Sequence, residues 1–226
     1  MTSDEKLDKE MLKIEKILGV SEEAFALKNE NNKFAELASL LSPAQGLSRD
    51  IKRQIGGAFS GQNLVSFDSS NSREVILALV KLAIENKKKP VLVLTALNYK
   101  SAREILAAAA IPPESVVIID TVSKNIKAVK DGAGVFFIDS LRDLTQIEIR
   151  VVNILSKEKN TAFIFDSLDT LAFYHEDKVI YKYAYSLTKI LRKSPAPAFY
   201  LLNKKSLVSQ LGQFFDNSVV LSKFKM

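Results

Sequence analysis

The stretch of sequence that decides the fold is AFIFDSLDTL, residues 162–171. Four consecutive apolar residues followed by Asp166 and Ser167 predict a strand that is buried on both faces and ends in a polar turn. An aspartate or serine after a strand can also cap the helix that follows, by accepting hydrogen bonds from its free N–H groups. A buried strand that runs straight into a helix is typical of α/β proteins with a parallel sheet.

The same pattern recurs on both sides of this stretch. Further short apolar runs lie at residues 64–67, 91–95, 116–119, 135–138, 198–202 and 219–221. Helical stretches lie between many of them, at residues 73–85, 99–110, 143–155 and 178–192. Strands that alternate with helices predict right-handed crossovers and a mostly parallel sheet. We therefore predict a three-layer α/β fold, with a mostly parallel, twisted sheet flanked by helices.

The first 60 residues have a different character, because they show helical periodicity and no strand pattern. Leu7, Met11, Ile14 and Leu18 are spaced so that they share one face of a helix. We predict an N-terminal helical extension over residues 1–60 and an α/β domain over residues 61–226.

Composition narrows the class of protein. The chain has 226 residues, no cysteine and a formal net charge of +6, so disulfides and thiolate metal sites are excluded. No apolar run reaches the roughly 18 residues that a membrane span needs, and the polar start MTSDEKLDKE is unlike a secretory signal. We expect a cytoplasmic protein without a membrane span. The run Lys87–Lys89 is most simply a solvated loop.

Three predicted strands end in an aspartate, at Asp120, Asp139 and Asp166. Open parallel sheets bind ligands beyond the carboxyl ends of their strands, and nucleotide hydrolases of the P-loop class hold Mg²⁺ with an aspartate in such a place. The same residue type also caps helices and forms turns. We expect capping or turn formation at Asp120 and Asp139, and we take Asp166 as the candidate site residue.

The connection after the first predicted strand bears on nucleotide binding. A phosphate-binding loop has the pattern G-x-x-x-x-G-K-[ST], in which backbone N–H groups and the lysine hold the phosphates. Here the connection is FDSSNSRE, residues 67–74, which has no glycine and no lysine and adds an aspartate. Ser69, Ser70 and Arg73, together with Asp166, are therefore the candidate residues of a vestigial nucleotide site.

Other chemistries find less support in the sequence. His175 is the single histidine, so a zinc site of the usual kind lacks its ligands. Neither the G-x-S-x-G motif of serine hydrolases nor the G-x-G-x-x-G dinucleotide fingerprint occurs.

The segment AFIFDSLDTL, with the aromatic pair at residues 173–174 and a helix ending near Arg192, resembles the Walker-B region of archaeal KaiC-like members of the RecA superfamily. The segments IDSLRDLT (138–145) and FFDNSVVL (214–221) are also similar to these proteins, and the likeness covers roughly residues 61–226. The resemblance implies a RecA-like fold, in which Asp166 matches the Walker-B aspartate. The phosphate loop of the family is degenerate here. Its catalytic glutamate, expected after the strand next to that loop, has no counterpart in VLTALNY (93–99).

The leading hypothesis is a non-catalytic pseudo-ATPase that needs no cofactor. Such a protein acts as a regulatory, signalling or assembly scaffold through a protein partner or self-association. Two alternatives stay open. The first is an ATPase that binds Mg-ATP weakly at an altered phosphate site. The second is a DNA-binding, recombinase-like protein, which the net charge of +6 permits but does not favour.

Overall fold

The computed structural model describes residues 43–54, 59–67, 72–126, 129–203 and 205–221. Its strands are β1 (Gln62–Ser66), β2 (Lys89–Leu94), β3 (Val117–Asp120), β4 (Val135–Phe137), β5 (Thr161–Phe165), β6 (Ala198–Leu202) and β7 (Asn217–Val220). Its α-helices are α1 (Pro43–Gln54), α2 (Ser72–Glu85), α3 (Tyr99–Ala108), α4 (Leu144–Lys157), α5 (Leu168–Tyr174), α6 (Asp177–Leu191) and α7 (Lys205–Leu211).

The strands form one sheet in the order β4-β3-β2-β5-β6-β1-β7, and every neighbouring pair is parallel. Each apolar run identified in the sequence is a strand of this sheet. The predicted parallel α/β fold is therefore confirmed.

Two hydrophobic cores cover the two faces of the sheet, which confirms the three-layer arrangement. Helices α1, α2 and α3 pack on one face, and α4, α5, α6 and α7 pack on the other. Strand β5 shows why its apolar run is unbroken, because Phe163 and Phe165 belong to one core while Ile164 belongs to the other.

Helix α1 packs against α2 and β7. Its residue Ile51 is fully buried, and Lys52 forms an ion pair of 2.7 Å with Glu85 at the end of α2. The side-chain amide of Gln54 donates to the carbonyl of Val220 and accepts from its N–H, at 3.0 and 2.9 Å, so it occupies the outer edge of β7. Edge strands with free backbone groups can pair with other chains, and this contact covers that position.

The boundary predicted at residue 60 stays a prediction. Residues 1–42 and 55–58, including the face formed by Leu7, Met11, Ile14 and Leu18, lie outside the described residues. A compact unit begins at Pro43 and continues to the end of the chain.

The entry into β1 is fixed by a close backbone approach. The N–H of Gln62 donates to Asp216 at 2.7 Å, and Arg192 forms an ion pair with the same carboxylate at 2.7 Å. Gly61 has a φ of +72°, and a Cβ there would lie 2.9 Å from Oδ2 of Asp216. Only glycine fits this position without a shift, and its fit aligns β1 beside β6 and β7.

No helix within the described ranges is long and apolar enough to cross a bilayer.

Candidate functional site

A cavity of about 250 Å³ opens at the carboxyl edge of the sheet. Its volume is below the roughly 300–1,000 Å³ of most small-molecule sites. The described lining contains two carboxylates and no cation, and it consists of Phe67, Ser72, Ile76, Ala96, Leu97, Asp166, Ser167, Asp169 and Asn203. We call this cavity the crevice.

Asp166 follows β5 directly and lies at the base of the crevice, with only 3% of its surface exposed. Its Oδ1 accepts hydrogen bonds from the N–H and the hydroxyl of Thr95, both at 2.7 Å. Its Oδ2 accepts from the N–H of Leu97 at 2.8 Å, and the N–H of Ala96 lies 3.1 Å from both oxygens. The carboxylate is therefore surrounded by donors from the loop that follows β2.

Burial and hydrogen bonding act in opposite directions on this carboxyl group. Complete burial raises the pKa of Asp166 above its usual value, and the donors of Leu97, Thr95 and Ala96 lower it in part. The hydroxyl of Thr95 also lies 2.6 Å from the carbonyl oxygen of Ser167. Thr95 thus ties the end of β2 to the first residues after β5.

Asp120 holds the same loop from the other side. It ends β3, which pairs with β2 on the side away from β5. Its carboxylate accepts a hydrogen bond from the N–H of Tyr99 at 2.6 Å. It also accepts from the N–H groups of Val122 and Ser123 at 2.6 and 2.8 Å, and from the Ser123 hydroxyl. The turn-forming role expected for Asp120 is confirmed.

Asp139 does not join these two carboxylates. Its side chain is exposed and forms an ion pair with Lys124 at 2.7 Å. The cap of the following helix, α4, is Asp143, whose Oδ1 accepts from the N–H of Gln146 at 3.0 Å. The capping expected of Asp139 is therefore supplied by the aspartate four residues later.

Two of the four predicted site residues, Asp166 and Arg73, lie within the described part of the chain. Asp166 lines the crevice, whereas Arg73 is exposed on the first turn of α2 and is not among the lining residues. Ser69 and Ser70 lie outside the described residues. Ser72, the first residue of α2, lines the crevice beside Phe67.

Sequence reasoning missed the contact between Asp169 and Asn203. Asp169 lies in the first turn of α5, and its Oδ2 accepts a hydrogen bond of 2.5 Å from the N–H of Asn203, just after β6. The only signal in the sequence was a second aspartate three residues after Asp166. This contact closes the crevice on the β6 side.

Strand order corrects the expected position of a general base. The strand followed by VLTALNY is β2, which lies between β3 and β5, whereas the neighbours of β1 are β6 and β7. Strand β2 is thus not paired with β1, although Ala96 and Leu97 of the loop after β2 line the same crevice as Phe67 and Ser72. Within the described ranges no three histidine or acidic side chains come together as a metal site.

The hydrogen bonds of Asp166 predict a structural role that a substitution can test. In Asp166→Asn an amide NH₂ group takes the place of one acceptor oxygen and opposes backbone N–H groups. Each unsatisfied buried donor costs about 1–3 kcal/mol, and each kcal/mol lowers the melting temperature of a chain this size by about 2–4 °C. We expect a lower melting temperature in thermal denaturation.

The matched control is Asp139→Asn, which changes an exposed strand-end aspartate. Its ion pair with Lys124 contributes at most about 1 kcal/mol, so its melting temperature should stay near that of the wild type. An unchanged or raised melting temperature in Asp166→Asn would contradict the structural role, since catalytic carboxylates are often replaced at little cost in stability.

No protein-family model matches this chain, and no curated protein matches its sequence. Among solved structures, the chain is similar to the KaiC-like protein PH0186 from the archaeon Pyrococcus horikoshii, with 12% identity and a TM-score of 0.56 over 74% of this chain and 75% of that one. It is also similar to the uncharacterized protein PH0321 from Pyrococcus horikoshii, solved in complex with an unknown peptide. That match has 12% identity and a TM-score of 0.58, and it covers 75% of this chain and 81% of the other. These likenesses show that the domain has the RecA-like three-layer fold found in KaiC-like proteins.

Proposed function

We propose that this protein is a pseudo-ATPase, a KaiC-like domain with a degenerate phosphate loop that acts as a regulatory, signalling or assembly scaffold through protein contacts. The observation that carries the proposal is the hydrogen bonding of Asp166. A Walker-B aspartate acts in hydrolysis by holding Mg²⁺. That role requires a carboxylate oxygen that faces the nucleotide with an available lone pair.

The carboxylate of Asp166 has about four lone-pair sites, and four donor groups contact it. Turning one oxygen toward a metal-bound water would leave backbone N–H groups of Thr95, Ala96 or Leu97 without their acceptor. Each loss costs about 1–3 kcal/mol in a buried setting. The hydrogen bonds within the protein therefore compete directly with metal binding.

The charge of the crevice also disfavours nucleotide binding. The described lining of the crevice contributes Asp166 and Asp169 and no cation. In sequence, the connection FDSSNSRE has no glycine and no lysine and includes an aspartate. A triphosphate entering the crevice would meet carboxylates of its own sign and be repelled by them.

Thermal denaturation with Mg-ATP tests this proposal. A ligand present at about 100 times its Kd adds about 2.7 kcal/mol to the free energy of unfolding, which corresponds to a rise of about 5–10 °C here. We expect no rise with Mg-ATP, Mg-ADP or Mg-GTP beyond that produced by MgCl₂ at equal ionic strength. A saturable rise with any of these nucleotides would contradict the proposal.

A scaffold also needs a contact surface, and one adjoins the crevice. A groove of about 340 Å³ is lined by Asp169, Ala172, Phe173 and Asn203, two of which also line the crevice. Phe173 is 87% exposed, and Tyr174 beside it is 48% exposed. Neighbouring exposed aromatic rings, unlike single exposed apolar residues, mark interaction surfaces in soluble proteins.

We propose that this groove receives an extended segment of a partner protein, which inserts an apolar side chain beside Phe173. The volume is within the range of natural binding pockets, and buried aromatic side chains commonly dominate the binding energy of an interface. PH0321, which shares the fold, was solved with a bound peptide, and this supports peptide binding as a use of the fold.

Selection from a peptide library on the full chain tests the groove. We expect enriched peptides with a shared apolar position that bind Phe173→Ser at least about tenfold more weakly, as expected when an interface anchor is lost. The control is Ile149→Ser, which removes another apolar side chain, 52% exposed on α4 and outside the groove. Equal binding to the wild type, Phe173→Ser and Ile149→Ser, or no enrichment of any peptide, would contradict the assignment of this groove as a peptide-binding site.

A further inference from the structure

Two lysine-rich loops lie side by side at the amino edge of the sheet, opposite the crevice. The loop between α2 and β2 contacts the loop between α4 and β5, because the N–H of Lys89 donates to the carbonyl of Asn160 at 2.7 Å. The side-chain amide of Asn160 donates in return to the carbonyl of Lys87. The sequence gives these loops as NKKK (86–89) and KEKN (157–160). We call Lys87, Lys88, Lys157 and Lys159 the lysine edge.

The acidic residues of these loops do not neutralise the lysine edge. Glu158 forms an ion pair with Lys89 at 3.5 Å, and Glu85 forms one with Lys52 at 2.7 Å. None of the four lysines forms an ion pair with any residue that the structure describes. Lys87, Lys157 and Lys159 are exposed and Lys88 is half-buried, so two adjacent loops bring four positive charges to this edge of the sheet.

The partial negative charges at nearby helix C-termini offset only part of the positive charge of the lysine edge. Helices α2 and α4 end at the two loops, and the C-terminus of a helix carries about half a negative charge that favours nearby lysines. Two such ends offset about one of the four charges. An excess of about three charges remains, which helix capping does not explain.

The backbone at Lys87 fixes where α2 ends and the loop begins. Lys87 has a φ of +56°, in the left-handed region, and it ends α2 through hydrogen bonds from the N–H groups of Lys87 to Ile84 and of Lys88 to Ala83, both at 2.9 Å. Glycine is the residue that usually ends a helix in this way, because a side chain there is strained. Ala110 ends α3 in the same conformation, at a φ of +55°, so this backbone geometry places the lysine in the loop but does not itself require a charge.

We propose that the lysine edge binds the phosphate backbone of duplex nucleic acid without reading its sequence. Lysines neutralise phosphates and position a protein on a duplex, whereas sequence readout needs contacts to base edges. The two loops contain no aromatic residue that could stack on the bases of a single strand. They also contain no apolar residue that could enter a membrane surface. Duplex phosphate is the polyanion that fits these features, and the assignment is independent of the pseudo-ATPase proposal.

The test is fluorescence anisotropy of a short labelled DNA duplex with the full chain at increasing salt. Neutralising about four phosphates gives a slope of log K against log salt near −3.6, so that affinity falls about 150-fold between about 50 and about 200 mM salt.

An edge variant and a control variant lose the same charge from opposite edges of the sheet. The edge variant combines Lys87→Gly, Lys88→Gln, Lys157→Gln and Lys159→Gln, and we expect its affinity to fall at least about tenfold and its salt slope to approach zero. The control changes four exposed cations of α3, α6 and the turn before α4 to glutamine, at Lys100, Arg142, Lys178 and Lys182, and should bind as the wild type does.

The single change Lys87→Gly separates charge from folding. Glycine relieves the left-handed strain, so the melting temperature should rise by about 2–4 °C while duplex affinity falls. The proposal is overturned by the absence of binding at low salt or by equal losses in the edge and control variants. Tighter binding to phosphatidylserine vesicles than to the duplex would also overturn it.

Discussion

The structure depends on two buried carboxylates that hold one loop from both sides. Strand β2 lies between β3 and β5, so Asp120 and Asp166 reach the loop after β2 from its two neighbours. Between them they satisfy the backbone N–H groups of Thr95, Ala96, Leu97 and Tyr99. Buried backbone groups need such partners, so these two carboxylates fix the loop that follows β2.

This arrangement explains how a Walker-B-like sequence can persist in a protein that we propose to be non-catalytic. Consecutive backbone N–H groups form a concave site that favours an anion, and here the anion is the side chain of Asp166 in the same chain. The aspartate is then needed to stabilise the fold, whether or not a nucleotide binds. The partly polar crevice above it remains as a surface feature, continuous with the groove beside Phe173.

Much of the fold could be predicted, because burial on both faces leaves a clear trace in the sequence. Phe163, Ile164 and Phe165 face alternate cores yet read as one apolar run. Asp166 could be assigned to the crevice, since parallel strands end at a common edge. Its donors could not be predicted, because backbone N–H groups have no residue signature and Thr95 lies 71 positions away. The exposure of Arg73 could also be predicted, because a charged side chain on the first turn of a helix is usually solvated.

Amide hydrogen exchange at Thr95, Ala96 and Leu97, followed by NMR with and without Mg-ATP, measures the central contact directly. If Asp166 is a structural acceptor, these three amides should be protected to the same degree as the amides in the centre of β2, and Mg-ATP should leave their exchange rates unchanged. Exchange as fast as in an open loop, or rates that change when Mg-ATP is added, would show that the carboxylate is available to a ligand.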